Sequence, residues 1–126
     1  MRGLVRIAGR MVAAGPPDPL VVETARRLGS PRARVANVAA DLGVSERHLR
    51  RRCDAAAGYG PATLRRVLRF RRFVSSIDRT GSPADLARLA AETGYADQAH
   101  LTRESTRLGG LPPAALAHAR RHGTAD

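Results

Sequence analysis

One pattern occurs twice in this chain and in the same register. Setting residues 35–43 against residues 86–94, at an offset of 51, aligns the apolar positions and brings Gly43 onto Gly94. One residue further along in the turn, Leu49 pairs with Leu101, and Gly58-Tyr59-Gly60-Pro61 with Gly110-Leu111-Pro112-Pro113. Each copy reads as a helix, a tight turn on glycine, a second helix, and then Gly, Pro and a new helix. A single helix pair of this kind is a weak sign, because many short helices satisfy it. Two in register with a continuous helix between them define an architecture.

The local signals agree. Val35, Val38, Ala39 and Leu42 form one apolar stripe, Gly43 supplies the turn, and Ser45 caps a helix reaching about Ala57. In that helix Leu49, Cys53 and Ala56 point inward, and Arg47, Arg50, Arg51 and Asp54 occupy the opposite face. Pro61 opens a long helix to about Ile77, with Leu64, Val67, Leu68, Val74 and Ile77 as its stripe and Phe70 and Phe73 as core anchors. Arg65, Arg69 and Arg72 align on another face of it, flanked by Arg66 and Arg71. Ser82-Pro83-Ala84-Asp85 reads as the next helix start, with Leu86, Leu89 and Ala90 following. The last helix of the second copy, from Asp97 to Leu108, turns Leu101, Ser105 and Leu108 inward and Ala99, Thr102, Arg103 and Thr106 outward. The expected fold is all-α: two helix-turn-helix units, each a homeodomain-like three-helix subdomain, joined by a long central helix.

Before the repeat, Leu4, Ile7, Ala8 and Met11 suggest a short amphipathic helix, and Val21, Ala25 and Leu28 a second one closed by Gly29. The expected division is a helical segment or remnant linker over 1–30 and a double helix-turn-helix domain over 31–126. Within the latter, the first unit covers about 31–60, the central helix 61–77 and the second unit about 82–121.

Charge narrows the partner. The net charge is +11, and all 22 basic residues are arginine. A polyanion is the natural ligand, and the planar guanidinium fork suits both phosphate and the edge of guanine. Residues 47–72 hold nine arginines against Asp54 alone, whereas residues 85–107 hold three arginines against four acids. The first unit and the central helix are therefore expected to supply most of the salt-dependent grip.

Other classes find little support. One cysteine excludes an internal disulfide, there is no metal-ligand cluster, and no cofactor motif is present. Arg2, Arg6 and Arg10 interrupt the first residues as a signal peptide would not allow, so no membrane role is expected. His48, His100, His118 and His122 are scattered, without paired carboxylates or a nucleophile motif, which argues against an enzyme. The rival reading is a basic helical adaptor for RNA or a protein. RNA readers stack bases on exposed aromatics, and only Tyr59 and Tyr95 are spare here, at turn positions that look buried.

The stretches Leu42-Gly43-Val44-Ser45-Glu46-Arg47-His48-Leu49-Arg50-Arg51-Arg52 and Gly94-Tyr95-Ala96-Asp97-Gln98-Ala99-His100-Leu101-Thr102-Arg103, with the Gly-x-x-Pro endings at Gly58 and Gly110, resemble the AraC/XylS-type bacterial transcription regulators. The resemblance covers residues 35–120. It implies a module whose two units enter successive major grooves, spaced by the central helix. Arg47, Arg50 and Arg51 would then read bases from the first unit, and Gln98, Ala99, Thr102 and Arg103 from the second, matching guanine, adenine and the thymine methyl in chemistry. Phosphates would fall to Ser45, His48, Asp97 and His100 at the helix N-termini and to Arg65, Arg66, Arg69 and Arg72. The implied partners are promoter DNA and RNA polymerase, and the implied location is cytoplasmic, on the nucleoid. Family members usually carry a sensing domain as well, so both a piece of a longer protein that dimerises through a missing N-terminal domain and a stand-alone regulator fit the resemblance. Cys53 and Ser105 stand where the family places a core Phe, and Leu101 replaces another aromatic. A buried Ser105 hydroxyl needs an acceptor, most simply the carbonyl four residues back.

Overall fold

A computed structural model describes residues 17–80 and 85–123. All regular structure among them is helical: α1 (Pro19–Leu28), α2 (Val35–Asp41), α3 (Glu46–Ala57), α4 (Pro61–Thr80), α5 (Leu86–Thr93), α6 (Gln98–Gly109) and α7 (Pro113–Arg121). The amphipathic helix expected around Leu4 to Met11 lies outside the described residues. The chain divides within α4 into two compact units, one ending at Leu68 and the other beginning at Arg69.

In the first unit, Val21 of α1, Ala39 of α2, and Leu49 and Cys53 of α3 form one buried cluster. Leu28, Val38 and Leu64 form a second, with Tyr59 and Leu68 against it. The helix that precedes the repeat thus contributes Val21 and Leu28 to these clusters and is part of the unit's core. Asp18 starts it by accepting from the Leu20 amide at 3.0 Å. Cys53 is fully buried, and burial pushes its thiol up to about 11, so it behaves as a small apolar side chain.

The second unit has a more polar interior. Phe70 and Phe73 are fully buried with ring centroids 6.0 Å apart, and Leu101, Leu116 and Ala117 are buried beside other apolar groups. Thr93 occupies the register of Leu42 and is the apolar position that the repeat does not keep. It is tolerated because its hydroxyl donates to the Leu89 carbonyl at 2.7 Å. Ser105, also fully buried, does not bond back along its own helix. It donates to the Leu111 carbonyl at 2.6 Å and so ties α6 to the turn before α7.

Two boundaries differ from the sequence pattern. Asp85 is the cap of α5 rather than its third residue: its backbone is extended and its carboxylate accepts from the Arg88 amide at 3.1 Å. The central helix continues to Thr80, where Thr80 donates to the Ser76 carbonyl at 2.8 Å and Arg120 grips Asp78 at 2.7 and 2.6 Å.

Both helix-turn-helix turns are built by the same pair of bonds. In the first, the Val44 amide donates to the Ala39 carbonyl at 3.0 Å and Gly43 to Ala40 at 3.1 Å. In the second, Tyr95 donates to Ala90 at 2.8 Å and Gly94 to Ala91 at 3.3 Å. This closure needs a left-handed residue, supplied by Gly43 (φ 72°) and Gly94 (φ 100°). Gly109 serves a different purpose: a Cβ there would stand 2.7 Å from the Phe70 ring and 3.3 Å from Leu116.

Replacing Gly109 by Ala in an open helix would stabilise it by about 1 kcal/mol. Here the clash with a fully buried ring reverses the sign, and Gly109→Ala is expected to destabilise by about 1–3 kcal/mol in urea unfolding. Gly43→Ala, with open space around it but φ 72°, should cost about 1–2 kcal/mol. A Gly109→Ala chain as stable as the parent contradicts the packing described.

Candidate nucleic-acid interface

The helices α3 and α6 are the repeat's equivalent second helices, related by an offset of 52. Their N-termini are capped in the same register. Ser45 accepts from the His48 amide at 3.0 Å, and Asp97 accepts from the His100 amide at 2.7 Å. Leu49 and Leu101 then point inward, both fully buried. What remains outside is the ridge expected from the spacing. Arg47, Arg50 and Arg51 are exposed on α3, and Gln98, Ala99 and Arg103 on α6, with Thr102 half-buried beside them. Among the described residues none of Arg47, Arg50, Arg51 and Arg103 forms an ion pair, so their guanidinium groups face solvent with their donors uncommitted to carboxylates.

The residues expected to hold phosphate are placed less uniformly. Arg69 is buried, not exposed: its guanidinium lies 3.5 Å from Glu104 and 5.0 Å from the Tyr95 ring centroid. It is spent on the core of the second unit and cannot reach a backbone phosphate. Arg65 donates to the Ala33 carbonyl at 2.8 Å, and Arg72 to the Thr93 carbonyl at 3.1 Å. Both are half-buried, Arg65 tying α4 to the loop before α2 and Arg72 tying it to the end of α5, whereas Arg66 is half-buried and Arg71 exposed. The face of α4 that reads as a basic stripe is therefore largely an internal one. Asp97 is likewise removed from the phosphate set, because its carboxylate caps α6 and carries the wrong charge for phosphate. Ser45 remains exposed at the start of α3, and its hydroxyl proton is not used by the cap.

Three residues that sequence reasoning passed over lie beside these ridges, each within its own unit. Arg52 forms a two-pronged bond to Asp18, 2.6 Å on each arm, and this guanidinium holds the Asp18 carboxyl below its ordinary value. Glu104 stands at the repeat-equivalent position of α6, on its buried side. The available signal was spacing: Arg52 sits beside the buried Cys53, and Glu104 three residues after Leu101, on or next to the inward faces.

His100 and Tyr95 complete the corner. The imidazole meets the phenol edge-on at 5.0 Å, and its Nδ1 accepts from the Ala96 amide at 3.2 Å. Burial, followed by the charge of Arg69, lowers the His100 pKa from 6.5. Burial pushes Tyr95 up to about 12. His48, its counterpart, is half-buried with Nε2 at 3.5 Å from an Arg52 nitrogen. Among the described residues no group of three His, Cys, Asp or Glu gathers to hold a metal, and no helix is long and apolar enough to cross a membrane.

The family model described as "Helix-turn-helix domain" matches residues 38–119, which takes in α3, α6 and all of α4. No curated protein and no solved structure matches the chain with significant similarity.

A lowered histidine pKa makes stability fall with acid. The folded state keeps His100 neutral where the unfolded chain, with a value near 6.5, already binds a proton, so stability present above that pH is lost as pH falls through the folded value. Asp18 and Asp78, lowered from 3.8 by their arginines, act only at more acid pH. Urea midpoints measured between pH 7 and 5 should decline, and the decline should flatten in His100→Asn, whose side-chain carbonyl can still accept from Ala96. Equal slopes in parent and variant would refute this role of His100.

Proposed function

The chain belongs to the AraC/XylS-type helix-turn-helix family and is a DNA-binding transcription regulator, and on that premise we propose that α3 and α6 each enter the major groove of promoter DNA, in successive grooves. The observation that carries the proposal is the pair of equivalent outward ridges. Both lie on helices begun by the same cap and aimed by the same glycine turn, and both present side chains able to hydrogen-bond base edges.

The two ridges call for different sequences. Arg47, Arg50 and Arg51 each offer a fork for O6 and N7 of guanine, so α3 suits a G-containing half-site. Gln98 suits adenine, the methyls of Ala99 and Thr102 suit thymine, and Arg103 suits a guanine, so α6 suits a mixed half-site. Phosphates are met by the free amides at the starts of both helices, by Ser45, and by Arg66 and Arg71. His48 and His100 stand at the same helix starts and border the backbone on each side. Contacts with RNA polymerase, a nucleoid location and dimerisation through a further domain belong to the same reading.

RNA is disfavoured by the placement of the aromatics. Phe70 and Phe73 are fully buried, Tyr95 is buried, and Tyr59 is half-buried with its hydroxyl out of solvent. No exposed phenyl or phenol ring is left on which a base could stack.

Selection of bound duplexes from random DNA should return two short reads about one helical turn apart. On the selected duplex, Arg50→Ala and Arg51→Ala should each cost about 1–3 kcal/mol, and Arg103→Ala should cost less affinity but more selectivity. If all three bind like the parent across a salt titration, α3 and α6 are not the reading helices.

A further inference from the structure

Each reading helix is held by one ion pair at the same register position, with the polarity reversed. On α3 the position is Arg52, and its partner is Asp18 at the start of α1. On α6 it is Glu104, 52 residues later, and its partner is Arg69 in α4. In both cases the partner lies on a helix outside the helix-turn-helix pair itself. The anchor sits one residue before the buried small residue of each reading helix, Cys53 and Ser105, and near the exposed base-facing side chains, Arg51 and Arg103. A small rotation of either helix about its axis therefore separates the pair as it shifts the reading side chains.

We propose that Asp18–Arg52 and Arg69–Glu104 are positioning pairs that fix the rotation of α3 and α6, and so set base selectivity without touching DNA. The inference rests on the reading that these two helices carry the base contacts. Apolar packing alone leaves rotation loosely set, because Cys53 and Ser105 are small where a large ring would key each helix into its core. In the first pair, two-pronged Arg–carboxylate geometry has the angular preference that small side chains lack. The second pair, an approach of 3.5 Å, is constrained by burial instead: with both side chains only 7 % exposed, its charges have little water to turn to, and the Arg69 guanidinium is also stacked at 5.0 Å on Tyr95, in the turn that starts α6. The first pair is more open, at 42 % and 18 %, so it is the one that salt can weaken.

The test uses the full chain and the duplex that the parent selects from random DNA, with single base changes placed in one half-site at a time. Asp18→Asn keeps the cap on α1 and removes the charge, and Glu104→Gln keeps the shape of its side chain. Asp18→Asn is expected to reduce discrimination about tenfold in the half-site read by α3 and to leave the other unchanged. Glu104→Gln should do the converse. Arg52→Met should follow Asp18→Asn with the slope of log affinity against log salt unchanged, whereas a phosphate-binding Arg52 would lower that slope by about one. Binding is measured at a temperature where far-ultraviolet circular dichroism shows every variant folded. Unchanged discrimination in the neutralised variants, or equal loss in both half-sites, overturns the proposal, as does a reduced salt slope for Arg52→Met. Arg50→Ala and Arg103→Ala run in the same assay: if they too leave discrimination unaltered, the reading beneath the proposal fails with it, and if they alter it, the failure belongs to the ion pairs alone.

Discussion

The direction of each reading helix depends on a turn that glycine alone makes without strain. At Gly43 and Gly94 the backbone is left-handed, and the next residue's amide reaches back to close the preceding helix. Once that is set, the cap three residues before the His48 or His100 amide can form, and the second helix starts in a defined direction. Leu49 and Leu101 then enter their cores, and the arginines and polar residues on the other side have nowhere to go but outward. The surface proposed to meet DNA is thus a consequence of two backbone closures.

Charge is used differently in the two units. The count of basic residues in the central helix suggests a long electrostatic stripe, but a guanidinium has a long apolar stem and five donors, and it serves equally well as a tie between helices. Arg65 and Arg72 spend donors on carbonyls that terminate neighbouring segments, and Arg69 is sealed beside Glu104. Of the two outward ridges, that of α3 carries three exposed arginines and that of α6 carries Arg103. The asymmetry between the units survives, and its source is the first reading helix rather than the connecting one.

Much of this was legible in the sequence, and the misses have one physical origin. Helix period, capping residues and glycines indicate the elements, because each is a local property of a few neighbouring residues. The exposed ridges on α3 and α6 emerge from the same period. Periodicity shows that Arg65, Arg69 and Arg72 share a face, but it cannot tell whether that face meets water or another helix. A clue was present, since Arg69 precedes the buried Phe73 by one turn and so lies on its side of α4. The opposite charge at Glu104, on the inward side of α6, was the other half of that clue. Ser105 shows the same limit: its need for an acceptor was evident, but the carbonyl it bonds belongs to Leu111 in the following turn, farther along the chain than Leu101.

The polar interior of the second unit stems from these substitutions taken together. Thr93, Ser105, Arg69 and Glu104 occupy positions that an apolar core would fill, and each demands a directional partner where a hydrocarbon would accept many arrangements. The Arg69 Nε and the Tyr95 hydroxyl are buried without a hydrogen-bond acceptor or donor within reach, so the order of the network rests on its remaining contacts. Such a core forfeits stability relative to hydrocarbon packing, but it admits fewer alternative rotations of α6. On the proposed reading, a helix with one arginine on its ridge contributes little to nonspecific attraction, and its fixed rotation is what discrimination between bases would depend on. The first unit, with three arginines on α3 and an apolar core, can rely more on charge and hold its helix by a pair that water still reaches.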